Sequence, residues 1–303
     1  MTLPIADEAY TAAHTHAAAY HATAADVLRI AGPDRIDFLQ RQSTNDVTQL
    51  NPDTAVVTVL TSATARILDV LTLITDGEAI HAVTLPGRET AAFLRSRIFF
   101  MDKVTVEETD LSVVDIFGPQ AAAALAEAGL PDPSDTNGVT RADGAVVVVT
   151  LADRIRLLTP EPAALLARLD MPVLSPEGYT VYRVENGIPL GELSEEYTPL
   201  ETRLGAHVSD AKGCYTGQEI IARQITYDKV TKRLVGLLLD EPVEAGTDVR
   251  SEGSRAGTIT TAVESPRFGP AALAVLKRDY IAPGTAVSVD GVGGRVVELP
   301  MKT

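Results

Sequence analysis

Cys214 is the only cysteine among 303 residues, and it stands in the run Lys212-Gly213-Cys214-Tyr215-Thr216-Gly217-Gln218-Glu219. From Gln218 onward the pattern is helical, so the cysteine is expected in the turn just before a helix N-terminus. Two influences there favour a thiolate: the partial positive charge of the helix end, and the ammonium of Lys212 two residues away. Gly213 and Gly217 let the backbone take positive φ or approach a ligand closely. Gln218 and Glu219 fall in the first turn, where an acid complements the helix dipole. Arg223, one turn beyond Glu219, is placed to pair with it across the helix surface or to meet a ligand carboxylate. Together these residues describe an accessible thiol in a tight loop. The competing reading is a small buried hydrophobe beside ordinary turn glycines.

The elements that must position this loop are legible from periodicity. Residues 27–30 read as a strand, and Gly32-Pro33 as the opening of a helix through Phe38, Leu39 and Gln42, with Pro33 at its first position. Strand-like runs at 56–60 and 67–74 flank a turn at 61–64 and predict a hairpin. Residues 89–100 carry apolar side chains at helical spacing, and 104–107 and 113–117 read as strands. A helix follows Gly118-Pro119 to Ala128, and 130–144, rich in Pro, Asp and Gly, reads as a loop. Runs 145–151 and 155–158 look like paired strands and 162–169 like a helix. Ser175-Pro176-Glu177 starts another helix, which Gly187 ends. Beyond Arg233, short strands at 234–239, 258–263, 272–276, 286–289 and 295–299 are punctuated by Gly and Pro, as in a small antiparallel β-barrel. The chain is therefore expected to be α+β, with one region at 1–230 made of two interleaved lobes and a barrel domain at 231–303.

With 26 Lys and Arg against 41 Asp and Glu, the net charge is −15. Phosphate backbones repel such a surface, so direct nucleic-acid binding is not expected. The acidic balance would also suit a salt-rich cytoplasm. No apolar run approaches the ~20 residues of a membrane helix. One cysteine makes no intramolecular disulfide, and residues 1–25 lack the basic and apolar regions of a signal peptide. The cytoplasm is the expected compartment. His14, His16 and His21 lie in an Ala/Thr-rich stretch without a nearby cysteine and read as a solvated N-terminal segment, not as metal ligands.

The run 212–219 resembles, without a substitution, the signature Lys-Gly-Cys-aromatic-any-Gly-Gln-acid of the YgfZ family. These are folate-binding relatives of the glycine-cleavage T-protein that serve iron–sulfur proteins. Looser similarity to T-protein-like chains extends over Leu28-Arg29-Ile30-Ala31-Gly32-Pro33-Asp34, Phe38-Leu39 and Thr44-Asn45-Asp46. It continues through Tyr182-Arg183-Val184-Glu185-Asn186-Gly187-Ile188-Pro189, Pro199-Leu200-Glu201, Gly257-Thr258-Ile259-Thr260 and Ser265-Pro266. The resemblance implies three lobes around a central tetrahydrofolate pocket, with the Cys214 loop at its mouth. It also implies a role in assembling or repairing iron–sulfur clusters of client proteins, and through them an indirect support of tRNA modification. A cluster held by this chain is not implied, since one cysteine falls short of the usual four ligands.

On this resemblance Cys214 and Lys212 carry the chemistry, while Asp69, Glu192, Tyr215, Gly217, Gln218, Glu219 and Arg223 are the folate-binding candidates. A T-protein has adjacent acids where this chain reads Asp69-Val70, so one acid is kept and one replaced. Its Arg-Thr-Gly-Tyr-Thr-Gly-Glu segment has no counterpart in Ala152-Asp153-Arg154-Ile155-Arg156. Both departures count against the aminomethyl transfer to tetrahydrofolate, which stays open as the alternative reaction. Glu192 reads equally as a pocket residue or a surface acid. A third reading is a thiol-based redox-sensing module in which Cys214 registers oxidants.

Overall fold

The computed structural model describes residues 8–132, 135–142 and 146–302. Two five-stranded antiparallel sheets and a closed barrel make up its β structure. The first sheet has the order β3 (Val56–Thr61), β4 (Ile67–Thr75), β5 (Ala79–Val83), β2 (Val27–Ala31), β6 (Thr105–Glu108). Its expected hairpin is present, with Val59 opposite Val70 and Leu60 opposite Asp69. Helices α2 (Arg35–Gln42) and α3 (Thr90–Ser96) cover one face, burying Phe38, Leu39, Ala91 and Leu94 against Leu28, Ile30, Leu71 and Leu73.

The second sheet runs β1 (Ala18–His21), β7 (Ser112–Phe117), β10 (Ile155–Thr159), β9 (Val146–Thr150), β8 (Val139–Ala142). Helices α4 (Ala121–Glu127) and α5 (Pro162–Leu169) pack on its outer face through Leu125, Leu165 and Leu169. The two sheets meet through Val27, Ile74 and Val83 of one and Val113, Val149 and Leu158 of the other. Helix α6 (Pro176–Asn186) begins as its sequence demands, because the Ser175 hydroxyl accepts from Gly178 N at 3.0 Å and Pro176 has no N–H to orphan. It ends where Gly187 takes φ +67° and Ile188 N returns to Arg183 O at 2.8 Å.

The barrel closes in the order β11 (Lys232–Leu239), β14 (Gly269–Lys277), β13 (Ser254–Ser265), β12 (Asp248–Ser251), β15 (Ala286–Val289), β16 (Val292–Val297). Alternate inward residues such as Leu237, Val249, Ile259, Ala274 and Val289 fill it. Val184 of α6 and Tyr197 pack on its outside with Leu234, Leu273 and Met301.

Several expectations are corrected. Pro33 precedes α2 rather than opening it: Arg35 N turns back to Gly32 O, and Asp34 occupies the cap position. The helix expected over 89–100 stops at Ser96, because the Asp102 carboxylate takes Phe99 N and bends the chain out of the helix. The loop expected at 130–144 contains β8; its residues 133–134 and 143–144, with Ala145 of the next run, lie outside the described residues. Strands β5 and β12 come as additions.

The segment that carries the N-terminal histidines is packed rather than solvated, with His14 and His21 half-buried and His16 alone exposed. Helix α1 (Glu8–Thr15) buries Ala9, Tyr10 and Ala13 beside Tyr179 and Tyr182 of α6, and β1 pairs with β7. His14 Nε2 lies 2.9 Å from the buried Glu185 carboxylate, which also accepts from Tyr10 and Ser265. Small alanines pack closely, so an Ala-rich stretch can bury a helix face without large side chains. Among the described residues no three His, Cys, Asp or Glu side chains gather as metal ligands, and no helix is long and apolar enough to cross a membrane.

Candidate functional site

The Cys214 loop is fixed on both sides of an exposed thiol. On its N-terminal side Lys212 is buried, and its ammonium donates to Gln40 O, Ser43 O and Asn45 O at 2.8, 2.7 and 2.6 Å. These carbonyls belong to the end of α2 and the turn after it. Burial draws the lysine down to about 8, against the pull of the Asp46 carboxylate, so it is still mostly charged at neutral pH. Three donors meet three acceptors, leaving no N–H for a thiolate. The structure therefore gives Lys212 an anchoring contact where its spacing had put it beside the thiol.

On the C-terminal side Tyr215 is buried against Ala65 and Ile221, with the Lys212 ammonium 5.3 Å from its ring centroid. Its hydroxyl is pushed up to about 12 by burial. The Thr61 hydroxyl donates to Thr216 O at 2.6 Å, seating the loop on the β3–β4 turn. Gly217 then takes φ +84° and a Cβ there would sit 2.7 Å from Ser62 O. Both the backbone conformation and the close approach demand glycine. A Gly217→Ala variant is expected to lose roughly 2 kcal/mol in denaturant unfolding and to change the alkylation rate of Cys214. An unchanged rate and midpoint would show that the loop is not seated this way.

Helix α7 (Gln218–Thr226) follows directly, so the cysteine lies in the turn before a helix N-terminus as its sequence predicts. Glu219 and Arg223 form an i,i+4 ion pair at 2.8 Å with both side chains largely exposed. Such a pair contributes little to stability. Gln218 is half-buried at the helix start.

Asp69 and Glu192 lie elsewhere and are saturated. Asp69 on β4 is buried; it accepts from Val70 N at 2.7 Å, Leu85 N at 2.9 Å and the Thr90 hydroxyl. Burial raises it to about 6, more than these donors lower it. The folded state thus holds its proton more tightly than the unfolded chain, so ionising Asp69 costs stability as pH rises through about 6. Asp69→Asn removes that cost, and its stability relative to wild type is expected to improve by about 1.3 kcal/mol from pH 5 to pH 7, out of about 3 kcal/mol over the whole range from below the ordinary aspartate value to above pH 6. A pH-independent difference between the two unfolding curves would contradict the shift.

Glu192 is fully buried, so the surface-acid reading is corrected. One oxygen takes Arg183 Nη1 at 3.1 Å and Leu190 N at 2.9 Å; the other takes the hydroxyls of Thr260 and Thr261 at 2.9 and 2.6 Å. Burial works to raise it, and Arg183, Thr261 and Leu190 more than reverse this, leaving it below the usual glutamate range. It ties the segment after α6 to barrel strand β13.

A polar network that periodicity did not flag joins the sheets. Asp115 on β7 receives Arg156 in a two-pronged pair at 2.8 Å and Arg154 at 3.2 Å; Arg156 reaches on to Thr72 of β4. Arginines two apart on a strand share a face, a signal that could have announced them. Close by, a cavity of about 470 Å³ is lined by His14, Asp153, Arg154, Tyr182 and Asn186, with Pro119 and alanines of α1 and α4. None of the nine residues singled out in the sequence lines it.

Comparison with known proteins covers nearly the whole chain. Residues 232–301 match the glycine cleavage T-protein C-terminal barrel domain. A chloroplastic Arabidopsis thaliana protein named as a transferase is 30% identical over 299 residues, covering 90% of this chain and 68% of its own. An aminomethyltransferase of Saccharopolyspora erythraea is 29% identical, over 96% of this chain and 88% of its own. The tRNA-modifying protein YgfZ of Escherichia coli O157:H7 is 29% identical over 78% of each chain. The crystal structure of the glycine cleavage system aminomethyltransferase T from Bartonella henselae superposes with a TM-score of 0.86 at 22% identity, over 97% of this chain and 88% of that one. The fold is that of a T-protein.

Proposed function

This chain belongs to the YgfZ and T-protein-like family, and from that premise we propose that it is a tetrahydrofolate-binding accessory protein for iron–sulfur cluster assembly or repair, acting through the thiol of Cys214. The observation that carries the proposal is the exposed thiol held between two buried anchors, Lys212 and Tyr215. A surface cysteine with no task needs no such seating, whereas a thiol that meets a partner atom gains from a fixed position. Its partners are iron–sulfur client or assembly proteins in the cytoplasm, and support of tRNA modification follows through those clients.

The folate part of the proposal takes the cavity beside α6. Its volume of about 470 Å³ falls in the range that encloses a small organic ligand. Tyr182 and Asn186 line it, and Asp153, half-exposed and paired with Arg154 through both oxygens, keeps its remaining lone pairs for the amino edge of a pterin. A reduced folate, when bound, supplies a one-carbon carrier. Asp69 and Glu192 have their oxygens committed to internal donors and act on the fold rather than on the pterin.

The transferase reading keeps one support of its own, the 29% identity to an aminomethyltransferase over most of both chains. Formation of methylene-tetrahydrofolate from an aminomethyl-lipoyl donor would establish it.

The deciding experiment deletes the gene in its host and measures iron–sulfur enzyme activities after restoring wild-type or Cys214→Ala protein. Wild type is expected to restore them and the alanine variant to fail while folding normally. Equal rescue by both removes the thiol from the mechanism. Titration of the purified protein with tetrahydrofolate tests the other half separately: absence of saturable binding removes the folate and leaves the thiol in place.

A further inference from the structure

Among the described residues three consecutive large apolar side chains are open to water, Phe99, Phe100 and Met101, which are 64, 98 and 73% exposed. They follow α3 at the point where Asp102 bends the chain. Three adjacent large apolar residues this open to water are a marker of an interaction surface rather than of scattered surface apolarity. The tip is also held in shape. Phe99 N donates to Asp102 Oδ2 at 3.0 Å, Asp102 N to Phe99 O at 2.9 Å, and Lys103 N to Asp34 Oδ2 at 2.8 Å. Arg41 of α2 grips Asp102 from the other side at 2.9 Å. A tip already fixed by four such contacts gives up little conformational freedom when something docks on it.

Beside the tip runs a groove of about 250 Å³ lined by Asp34, Asp37, Gln40, Arg41 and Asp102. Its three carboxylates face a single guanidinium, which is spent on Asp102. Asp37 is exposed. The lining of the groove is therefore net negative beside an apolar knob, and the exposed cations Arg97 and Lys103 flank the knob in the chain but do not line the groove. A partner that fits both features must bring a cation for the carboxylates and an apolar side chain for Phe100 and Met101.

We propose that the Phe99–Met101 tip and the carboxylate groove of α2 together form a docking surface for a partner protein, which presents a segment of alternating basic and apolar side chains. An anionic membrane would accept the aromatics but be repelled by Asp34 and Asp37. A second copy of this chain would bring the same acidic groove to the interface. The complementary charge thus favours a basic peptide segment. Gln40 and Ser43 of the same helix end hold Lys212 through their carbonyls, so a partner seated on α2 lies on the element that anchors the Cys214 loop. The surface itself rests on its own shape and charge and stands whatever the thiol does.

The test uses the full chain and fluorescently labelled twelve-residue peptides, one alternating arginine and leucine, one arginine and serine, one glutamate and leucine. The arginine–leucine peptide is expected to bind about tenfold more tightly than either control, since both the charge and the apolar contact contribute. Phe100→Ser and Asp37→Lys should each weaken it about tenfold with unchanged thermal unfolding. Glu244→Lys, the same charge change on an exposed barrel loop, should weaken it far less. Equal loss with Glu244→Lys, or equal binding of the arginine–serine peptide, reduces the effect to net charge and overturns the proposal. So does absence of binding below millimolar concentration, Phe100-dependent binding to phosphatidylglycerol vesicles, or a Phe100-dependent dimer in sedimentation.

Discussion

Glu192→Ala is expected to destabilise the protein by roughly 3–5 kcal/mol, the cost of stripping a buried ion of its partner. The Arg183 guanidinium that faces it is almost fully buried and has one other strong contact, to the Thr261 hydroxyl at 2.8 Å. Removing the carboxylate leaves that charge without compensation and also frees Leu190 N and the Thr261 hydroxyl, while Thr260 keeps Leu273 O as its acceptor. Glu192→Gln keeps the shape and one acceptor, so its loss is smaller, roughly 1.5–3 kcal/mol. The pH dependence has a definite sign. The folded-state value is depressed, so the stabilisation is present in full above the ordinary glutamate range and is lost as pH falls from there through the lower folded-state value. The gap between wild type and Glu192→Gln should therefore close on acidification. Denaturant unfolding at several pH values reads all three expectations. If Glu192→Ala unfolded like wild type but lost tetrahydrofolate affinity, the residue would be a ligand contact and the structural role given to it here would fall.

Glu192 also marks the boundary of what the chain discloses in one dimension. Capping and turn chemistry act over four or five residues, so Ser175, Pro176 and Gly187 announce α6 to the residue. Strand alternation similarly announces the β3–β4 hairpin and most of the barrel. The Cys214 turn and the helix behind it were legible for the same reason. What decides the fate of an acid or a lysine is its partner, and here the partners lie far away in sequence. Glu192 meets Thr260 and Thr261 of the barrel, and Lys212 meets the end of α2. Asp69 is anchored by Leu85 and Thr90 across a chain reversal. No local pattern distinguishes such a residue from an exposed one. The N-terminal helix was hidden for another reason: its buried face is mainly alanine, which gives hydropathy patterning little contrast. The exposed Phe99–Met101 tip inverts the usual rule, since apolar residues at helical spacing read as core.

Lys212→Met tests whether the lysine beside the cysteine serves the loop or the thiol. Methionine fills much of the same volume but offers no donor, so the carbonyls of Gln40, Ser43 and Asn45 lose their shared partner. Each buried acceptor left unpaired costs about 1–3 kcal/mol, and the three together should lower stability by at least about 3 kcal/mol. Arginine is not expected to rescue it, because a flat guanidinium fork cannot place three N–H groups on three carbonyls arranged around one nitrogen. Loss of the anchor also frees the backbone on the N-terminal side of Cys214, so thiol alkylation should speed up while the cellular rescue fails. These changes belong together if Lys212 is an anchor. If Lys212→Met instead unfolds at the wild-type denaturant concentration and its alkylation slows, the ammonium acts on the thiol itself, and the direct electrostatic role inferred from their spacing is the correct one.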